Sequence, residues 1–116
     1  MIGYNEEIGA YTIEYDDVIV CWDEEPDEDC RKQADAVRKA YNEHVRDIAQ
    51  VIYDETGEFF GVSDVDEVIA KLARPQIYPD NGQVVYCEHT LDNEHIITFE
   101  YSADDFSDIE YVAVDG

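Results

Sequence analysis

The sequence predicts a single α+β domain over residues 1–116, with one long and one short helix packed on one face of an antiparallel sheet in the order ββααββββ. A segment with helical spacing of apolar residues separates two parts rich in strand-forming residues. The length suits one domain. An apolar fraction of 45% with fourteen aromatic residues (nine Tyr, four Phe and one Trp) is typical of a chain that folds, and not of a disordered acidic tail.

The amino-terminal part predicts a β-hairpin. The runs GAYTIEY and DVIVCWD are rich in Tyr, Ile, Val and Trp, which favour strands. They meet at Asp16 and Asp17, which are common turn residues.

From Asp27 the pattern changes to one long amphipathic helix without proline. Pro26 and a group of carboxylates stand at its start, where a helix favours anions, and Gly57 is the predicted stop. The apolar positions recur every three to four residues: Cys30, Ala34, Val37, Tyr41, Val45, Ile48 and Ile52.

A short second helix is predicted in SDVDEVIAKLA, with Ser63 as the cap, Asp66 three residues later and Pro75 beyond its end. The remaining residues predict three or four antiparallel strands. The turns between them are expected at Pro79-Asp80-Asn81-Gly82, Asp92-Asn93 and Asp104-Asp105.

The formal net charge of −23 is very uneven along the chain. Residues 1–29 hold eleven acidic and no basic residues, and residues 75–116 hold ten and none. Residues 30–74 hold nine acidic residues and all seven basic ones. If the helices cover one face of the sheet, the opposite face and its loops should form an acidic surface carrying tyrosines. Such a surface repels nucleic acid and anionic membranes and attracts basic partners.

The amino-terminal residues carry neither a basic region nor a hydrophobic signal core, and no apolar run is long enough to cross a bilayer. The predicted location is therefore the cytoplasm.

The stretch CWDEEPDEDC carries a carboxylate at every position from 23 to 29 except Pro26. It does not fit an EF-hand loop, because counting from Asp23 places Glu28 at the glycine position and Ala34 at the bidentate ligand position. Cys21 and Cys30 are too far apart in sequence for a thiol oxidoreductase motif. We expect an acidic segment leading into a helix, and free thiols at all three cysteines.

A zinc site at Cys87, His89 and His95, with His44 as a fourth ligand, stays open as a weaker alternative, in which Cys87 and His89 would share a strand face. No phosphate-binding glycine loop and no nucleophile motif is present in the sequence, so no catalytic residues and no cofactor are expected.

The segment LARPQIYPDNGQVVYCEHTLDNEHIITFEY, with the closing IEYVAVDG, resembles an uncharacterised bacterial domain family. Glu94 stands where that family has glycine, and Asn81 is an insertion in its turn. The family is similar to immunity proteins of polymorphic toxin systems, and the resemblance implies a binding function and a bacterial source. The matching residues are Ile77, Tyr78, Asp80, Gly82, His95, Ile97 and Gly116.

The charge and the resemblance together predict a non-enzymatic, acidic protein-binding inhibitor. The expected partner is a basic protein, with an immunity protein against a nuclease-type toxin as the first reading. A nucleic-acid mimic that blocks a DNA- or RNA-binding protein is the alternative, and a metal-binding domain is the weaker third. The predicted partner-binding residues are Asp16, Asp17, Trp22, Asp23, Glu24, Glu25, Tyr101, Asp104, Asp105 and Asp108.

The charge also predicts a dependence of stability on salt. The melting temperature should be low in dilute buffer and rise with NaCl, because ions screen the repulsion between carboxylates over about 10 Å at 0.1 M salt. Thermal unfolding followed by circular dichroism from low to high NaCl measures this. A flat profile would show that the carboxylates are too widely spaced to repel one another.

Overall fold

A computed structural model describes residues 3–92, 94–102, 106 and 108–115. These residues form two helices and one sheet of seven strands, whose spatial order follows the chain. The elements are β1 (Gly3–Asn5), β2 (Ala10–Glu14), β3 (Ile19–Trp22), α1 (Cys30–Phe60), α2 (Val65–Leu72), β4 (Gln76–Tyr78), β5 (Gln83–Tyr86), β6 (Ile96–Tyr101) and β7 (Ile109–Asp115).

The α+β class, the first hairpin and the four carboxy-terminal strands are confirmed, whereas the predicted order lacks one strand. The extra strand is β1, which has only three residues, Gly-Tyr-Asn, and therefore gives little strand signal. The sheet is also not wholly antiparallel, because β3 and β4 run parallel, with Ile19 opposite Gln76. Both helices lie between β3 and β4 in the chain. This helical crossover carries the chain back along the sheet, so β4 starts at the same end of the sheet as β3.

Both helices pack on the same face of the sheet. Strand residues that alternate along the chain, such as Val20, Val84 and Phe99, share one buried cluster with Ile48 of α1 and Val68 of α2. The intervening strand residues point to the other face.

The face of the sheet opposite the helices is not acidic at its centre, contrary to the surface that the sequence predicts. Ala10, Ile19 and Cys21 form a small buried cluster there, covered in part by Ile8 and Tyr78. The centre of this face is therefore apolar, and the exposed carboxylates lie mainly around it, on the loops.

The long helix runs past the predicted stop. Gly57 is helical and buried under the ring of Tyr53, and α1 ends at Gly61, whose φ of 68° is left-handed and whose N–H donates to the Gly57 carbonyl. A glycine inside the helix was mistaken for the terminal one because both fit the same sequence signal.

The cap of α2 is Asp64 and not the predicted Ser63. The Asp64 carboxylate accepts a hydrogen bond of 2.9 Å from the N–H of Glu67, and the Glu67 carboxylate accepts one of 3.0 Å from the N–H of Ser63. The reciprocal bonds resemble a capping box displaced by one residue.

Two glycines with similar backbone angles provide a test of the packing between the β4–β5 turn and β6. Gly82 has a φ of 63°, and a Cβ there would lie 2.7 Å from the Tyr101 carbonyl oxygen, whereas a Cβ at Gly61 meets no atom within 4 Å. We expect Gly61→Ala to lower the free energy of unfolding by about 1 kcal/mol through left-handed strain alone. Gly82→Ala should lower it by at least about 1 kcal/mol more, through the added clash. Urea denaturation measures both, and equal losses would contradict the close approach.

Candidate protein-binding surface

Exposed carboxylates gather where three strands end. Because β3, β4 and β6 run in the same direction, their carboxyl ends at Trp22, Tyr78 and Tyr101 lie at one end of the sheet. The loops that follow these strands carry most of the acidic residues of that end. We define the acidic end by the described, exposed carboxylates of these three loops: Asp23, Glu24, Glu25, Asp27, Glu28, Asp29, Asp80 and Asp108.

Side-chain hydrogen bonds fix the loops of the acidic end to one another and to themselves. The Asn81 amide in the β4–β5 turn donates a bond of 2.7 Å to the Asp23 carboxylate in the β3–α1 loop. The Ser102 hydroxyl donates a bond of 2.5 Å to the carboxylate of Asp108, and the Ser102 N–H donates to the Asp108 carbonyl oxygen. The carboxylates at these positions are thus partly preorganised.

Trp22 supports the acidic end from beneath. Its indole N–H donates a bond of 3.0 Å to the Gln33 amide oxygen, and the Gln33 amide nitrogen lies 3.4 Å from the Asp80 carboxylate. The residues between β3 and α1 line a shallow groove of about 610 Å³, whose lining also includes Trp22 and Lys32. Lys32 is the basic residue that lies beside the carboxylates in this groove.

The amino end of α1 also faces this end of the sheet. Asp29 occupies the cap position without a side-chain cap bond, and no acidic residue lies in the first turn. The Asp27 carboxylate accepts a bond of 2.9 Å from the Asp29 N–H. The sequence predicted that the carboxylates at 27 to 29 start the helix, but they precede its first turn. Their side chains do not cap the first N–H groups of α1.

Most of the basic residues pair with carboxylates outside the acidic end. Within the described residues, no ion pair includes a carboxylate of the acidic end. Its negative charge is therefore largely unbalanced. The pairs made by Lys and Arg are Arg38–Asp17, Lys39–Glu43, Arg46–Asp66, Lys71–Glu67, Arg74–Glu14 and Arg74–Glu88.

The structure separates the predicted partner-binding residues. Asp23, Glu24, Glu25 and Asp108 are exposed at the acidic end. Asp104 and Asp105 lie outside the described residues.

Trp22 and Tyr101, predicted as partner-binding residues, are 2% and 9% exposed and belong to the core. Both are the final residues of strands and point to the helix face, where aromatic packing is favourable. They shape the acidic end without presenting a surface to a partner.

Asp16 and Asp17 lie in the β2–β3 turn, at the opposite end of the sheet from the acidic end. Asp17 accepts bonds of 2.9 Å from Arg38 and 2.7 Å from Asn42. Burial alone would raise the pKa of Asp17, but these hydrogen bonds outweigh it and lower the pKa. The carboxylate of Asp17 thus ties the turn to α1.

The suggested zinc ligands do not converge. β5 ends at Tyr86, so Cys87 and His89 lie in a loop and do not share a strand face, and Cys87 is exposed whereas His89 is buried. One ring nitrogen of His89 lies 2.6 Å from the His95 carbonyl oxygen, and the other accepts from a backbone N–H. Across residues 3–92, 94–102, 106 and 108–115, no group of three or more His, Cys, Asp or Glu is placed to hold a metal ion.

The three cysteines carry free thiols. Cys21 and Cys30 are buried in separate clusters on the two sides of the sheet, and Cys87 is exposed. Burial raises the pKa of the Cys21 thiol to about 12. The thiol of Cys21 is therefore protonated at neutral pH and a poor nucleophile.

Asp80 and Tyr111 are exposed surface residues that the sequence pattern did not mark as part of a binding site. Asp80 was assigned only to a turn, although its place directly after a strand parallel to β3 brings it beside Trp22 and Gln33. Tyr111 falls in the closing strand-like run IEYVAVDG, where tyrosines usually pack, yet it is 72% exposed. No sequence signal marks the bulge that exposes it.

Comparison of the chain with protein-family models, with curated proteins and with solved structures finds no match. The resemblance to an uncharacterised bacterial domain family, itself similar to immunity proteins, therefore stays a prediction. In the part of the chain that the structure describes, neither helix is long and apolar enough to span a membrane.

The Arg74 ion pairs allow a test at low pH. Arg74 donates bonds of 3.0 and 2.8 Å to the two carboxylate oxygens of Glu88, and these bonds lower the pKa of Glu88. Glu88→Gln should reduce the free energy of unfolding at pH 7 by about 0.5 to 1 kcal/mol, since the pair is partly exposed. A carboxyl group whose pKa is lower in the folded than in the unfolded protein adds stability at pH values above its unfolded pKa. This stability is lost as the pH falls through the folded pKa.

The difference between the parent and Glu88→Gln proteins should therefore shrink as the pH falls below about 4.3, the ordinary pKa of a glutamate. Urea unfolding at pH 7 and pH 3 measures it. Glu94→Gln, at an exposed carboxylate of the same loop, serves as the control and should have little effect at either pH. A difference at pH 3 as large as that at pH 7 would contradict the role given to the ionised Glu88.

Proposed function

We propose that the protein is a non-enzymatic inhibitor that binds a basic protein partner through its acidic end. The observation that carries the proposal is the group of exposed carboxylates on three loops that follow β3, β4 and β6, while most basic residues are paired elsewhere. A surface of one sign attracts a partner of the opposite sign and orients the encounter. The binding residues proposed here are the carboxylates of the acidic end, without Trp22 and Tyr101.

The carboxylates of the acidic end are partly held in place before a partner binds, which favours a role in inhibiting that partner. Phosphate sites in proteins that act on nucleic acids are lined by Arg and Lys side chains, which form strong, charge-assisted bonds to carboxylates as well. Carboxylates held by neighbouring loops, such as Asp23 by Asn81, lose less conformational freedom on binding than free side chains. The acidic end can thus occupy a groove that normally takes the phosphates of nucleic acid.

The proposed partner is a nuclease-type toxin, which makes the chain an immunity protein acting in the cytoplasm. This choice rests on the sequence resemblance together with the charge. A nucleic-acid mimic that blocks another DNA- or RNA-binding protein would use the same surface and the same chemistry. A toxin gene beside the gene for this chain favours immunity, and its absence favours mimicry.

The acidic end can be tested by neutralising its charges. The variant Asp23→Asn, Glu24→Gln, Glu25→Gln is compared with a control on α1, Glu43→Gln, Asp47→Asn, Asp54→Asn, which removes the same number of charges. Tagged proteins capture partners from an extract of the source cells, and mass spectrometry identifies them. The parent protein and the α1 control should capture a basic nucleic-acid-acting protein and inhibit it.

The variant at 23 to 25 should associate with that protein about tenfold more slowly at low salt, as lost electrostatic steering predicts. Surface plasmon resonance at several NaCl concentrations measures the rates, and the difference should narrow as salt increases. Equal slowing by both triple variants would mean that the negative charge acts uniformly over the whole surface of the protein. A surface of that kind serves only to keep a protein soluble in concentrated salt. That outcome, or capture of no basic protein, would refute the proposal.

A further inference from the structure

The last strand leaves a long edge of the sheet open. β7 has seven residues, and in the strand order of the described residues it pairs only with β6. The backbone N–H and C=O groups on its outer edge are available to another strand. Because Ile109 lies opposite Tyr101, β7 starts at the acidic end and runs away from it.

A bulge interrupts β7 near its start. Thr98 pairs with Ala113 and Glu100 with Glu110, so β7 has one residue more than β6 between these pairs. Tyr111 lies in this bulge with a φ of 58°, a left-handed conformation that is strained for a tyrosine. Its side chain is 72% exposed, so burial of the ring does not compensate for the strain.

Two carboxylates of like charge face each other beside the bulge. Glu100 and Glu110 are directly opposite on adjacent strands, and both are exposed. Like charges in this arrangement repel. Within the described part of the chain neither carboxylate takes part in an ion pair. A cation from outside the chain placed at this edge would relieve the repulsion.

We propose that the open edge of β7 takes up an extended basic segment of the protein partner as an eighth strand, with Tyr111 as its aromatic anchor. Lysine or arginine side chains of that segment lie at the Glu100–Glu110 pair, and its backbone pairs along residues 113–115, where the register with β6 is regular. The inference rests on the proposed function only for the basic character of the partner.

Other occupants fit this edge less well. A second copy of the chain would bring two net charges of −23 together and place more carboxylates at the Glu100–Glu110 pair. The opposite edge of the sheet, β1, has three residues and therefore offers fewer backbone groups to an added strand. A bulge can also protect an edge from pairing, and the experiment separates this role from docking.

The probe is a capped heptapeptide of alternating Lys and Val, added to the isotope-labelled full chain and followed by nuclear magnetic resonance. We expect chemical-shift changes and slower hydrogen exchange at residues 113–115. The same peptide with Glu in place of Lys, and a Lys-Val peptide N-methylated at alternate amides, should not produce them. If the bulge prevents strand pairing at this edge, no peptide would slow hydrogen exchange in β7. That result would overturn the proposal.

Two substitutions should move stability and binding in opposite directions. Tyr111→Gly should raise the melting temperature by relieving the left-handed strain, and should weaken peptide binding about tenfold, as expected for loss of an aromatic anchor. Glu110→Gln should likewise stabilise the chain and weaken binding, because it removes the repulsion that the peptide relieves. Tyr4→Ala, at an exposed tyrosine of the β1 edge, is the control and should leave binding unchanged.

The outcomes distinguish this inference from the proposed function. Shift changes confined to residues 23–29, or equal binding by the N-methylated peptide, would overturn docking at β7 and leave the acidic end as the binding surface. Docking at β7 combined with an undiminished association rate of the Asp23, Glu24 and Glu25 triple variant would support the inference and overturn the proposed function.

Discussion

The parallel pairing of β3 with β4 determines where the acidic residues of this protein meet. Both helices are inserted between these two strands, so β4 starts at the same end of the sheet as β3 and finishes beside it. The hairpins that follow bring the end of β6 to the same place. Had β4 run antiparallel to β3, Asp80 and Asp108 would lie at the opposite end from Asp23, and the acidic end would keep only the carboxylates of residues 23–29. A backbone constraint thus gathers charges that are far apart in sequence.

Secondary structure was predictable where a residue pattern belongs to one element, and less so where two elements must meet. The long helix followed from the spacing of Ala34, Tyr41, Ile48 and similar residues, because one helical face is a local property. The parallel pair could not be read from local patterns, since it depends on the path of the chain through both helices. The short strand β1 was missed because three residues give too little alternation for any pattern.

The candidate surface was predictable in charge and less so in its aromatic residues. Asp23, Glu24 and Glu25 are exposed because unpaired carboxylates are costly to bury. Trp22 follows the alternation of β3 and so faces the helices, although it is next to these carboxylates in sequence. The exposure of Tyr111 depends on a bulge, which shifts side chains from the face that regular alternation would give them. The sequence therefore predicted the charge of the surface better than its aromatic contacts.

The distribution of the basic residues explains how so acidic a chain holds together. Arg38 joins the β2–β3 turn to α1, Arg46 joins α1 to α2, and Arg74 contacts both Glu14 of β2 and Glu88 after β5. Each of these arginine pairs links separate parts of the fold, whereas the Lys39–Glu43 and Lys71–Glu67 pairs lie within one helix each, so the arginines reduce repulsion where the fold needs contact. The acidic end and the Glu100–Glu110 pair are left without such partners, which raises the energy of the free protein there. The basic partner that we propose would lower that energy on binding, so the imbalance that weakens the isolated chain would strengthen the proposed complex.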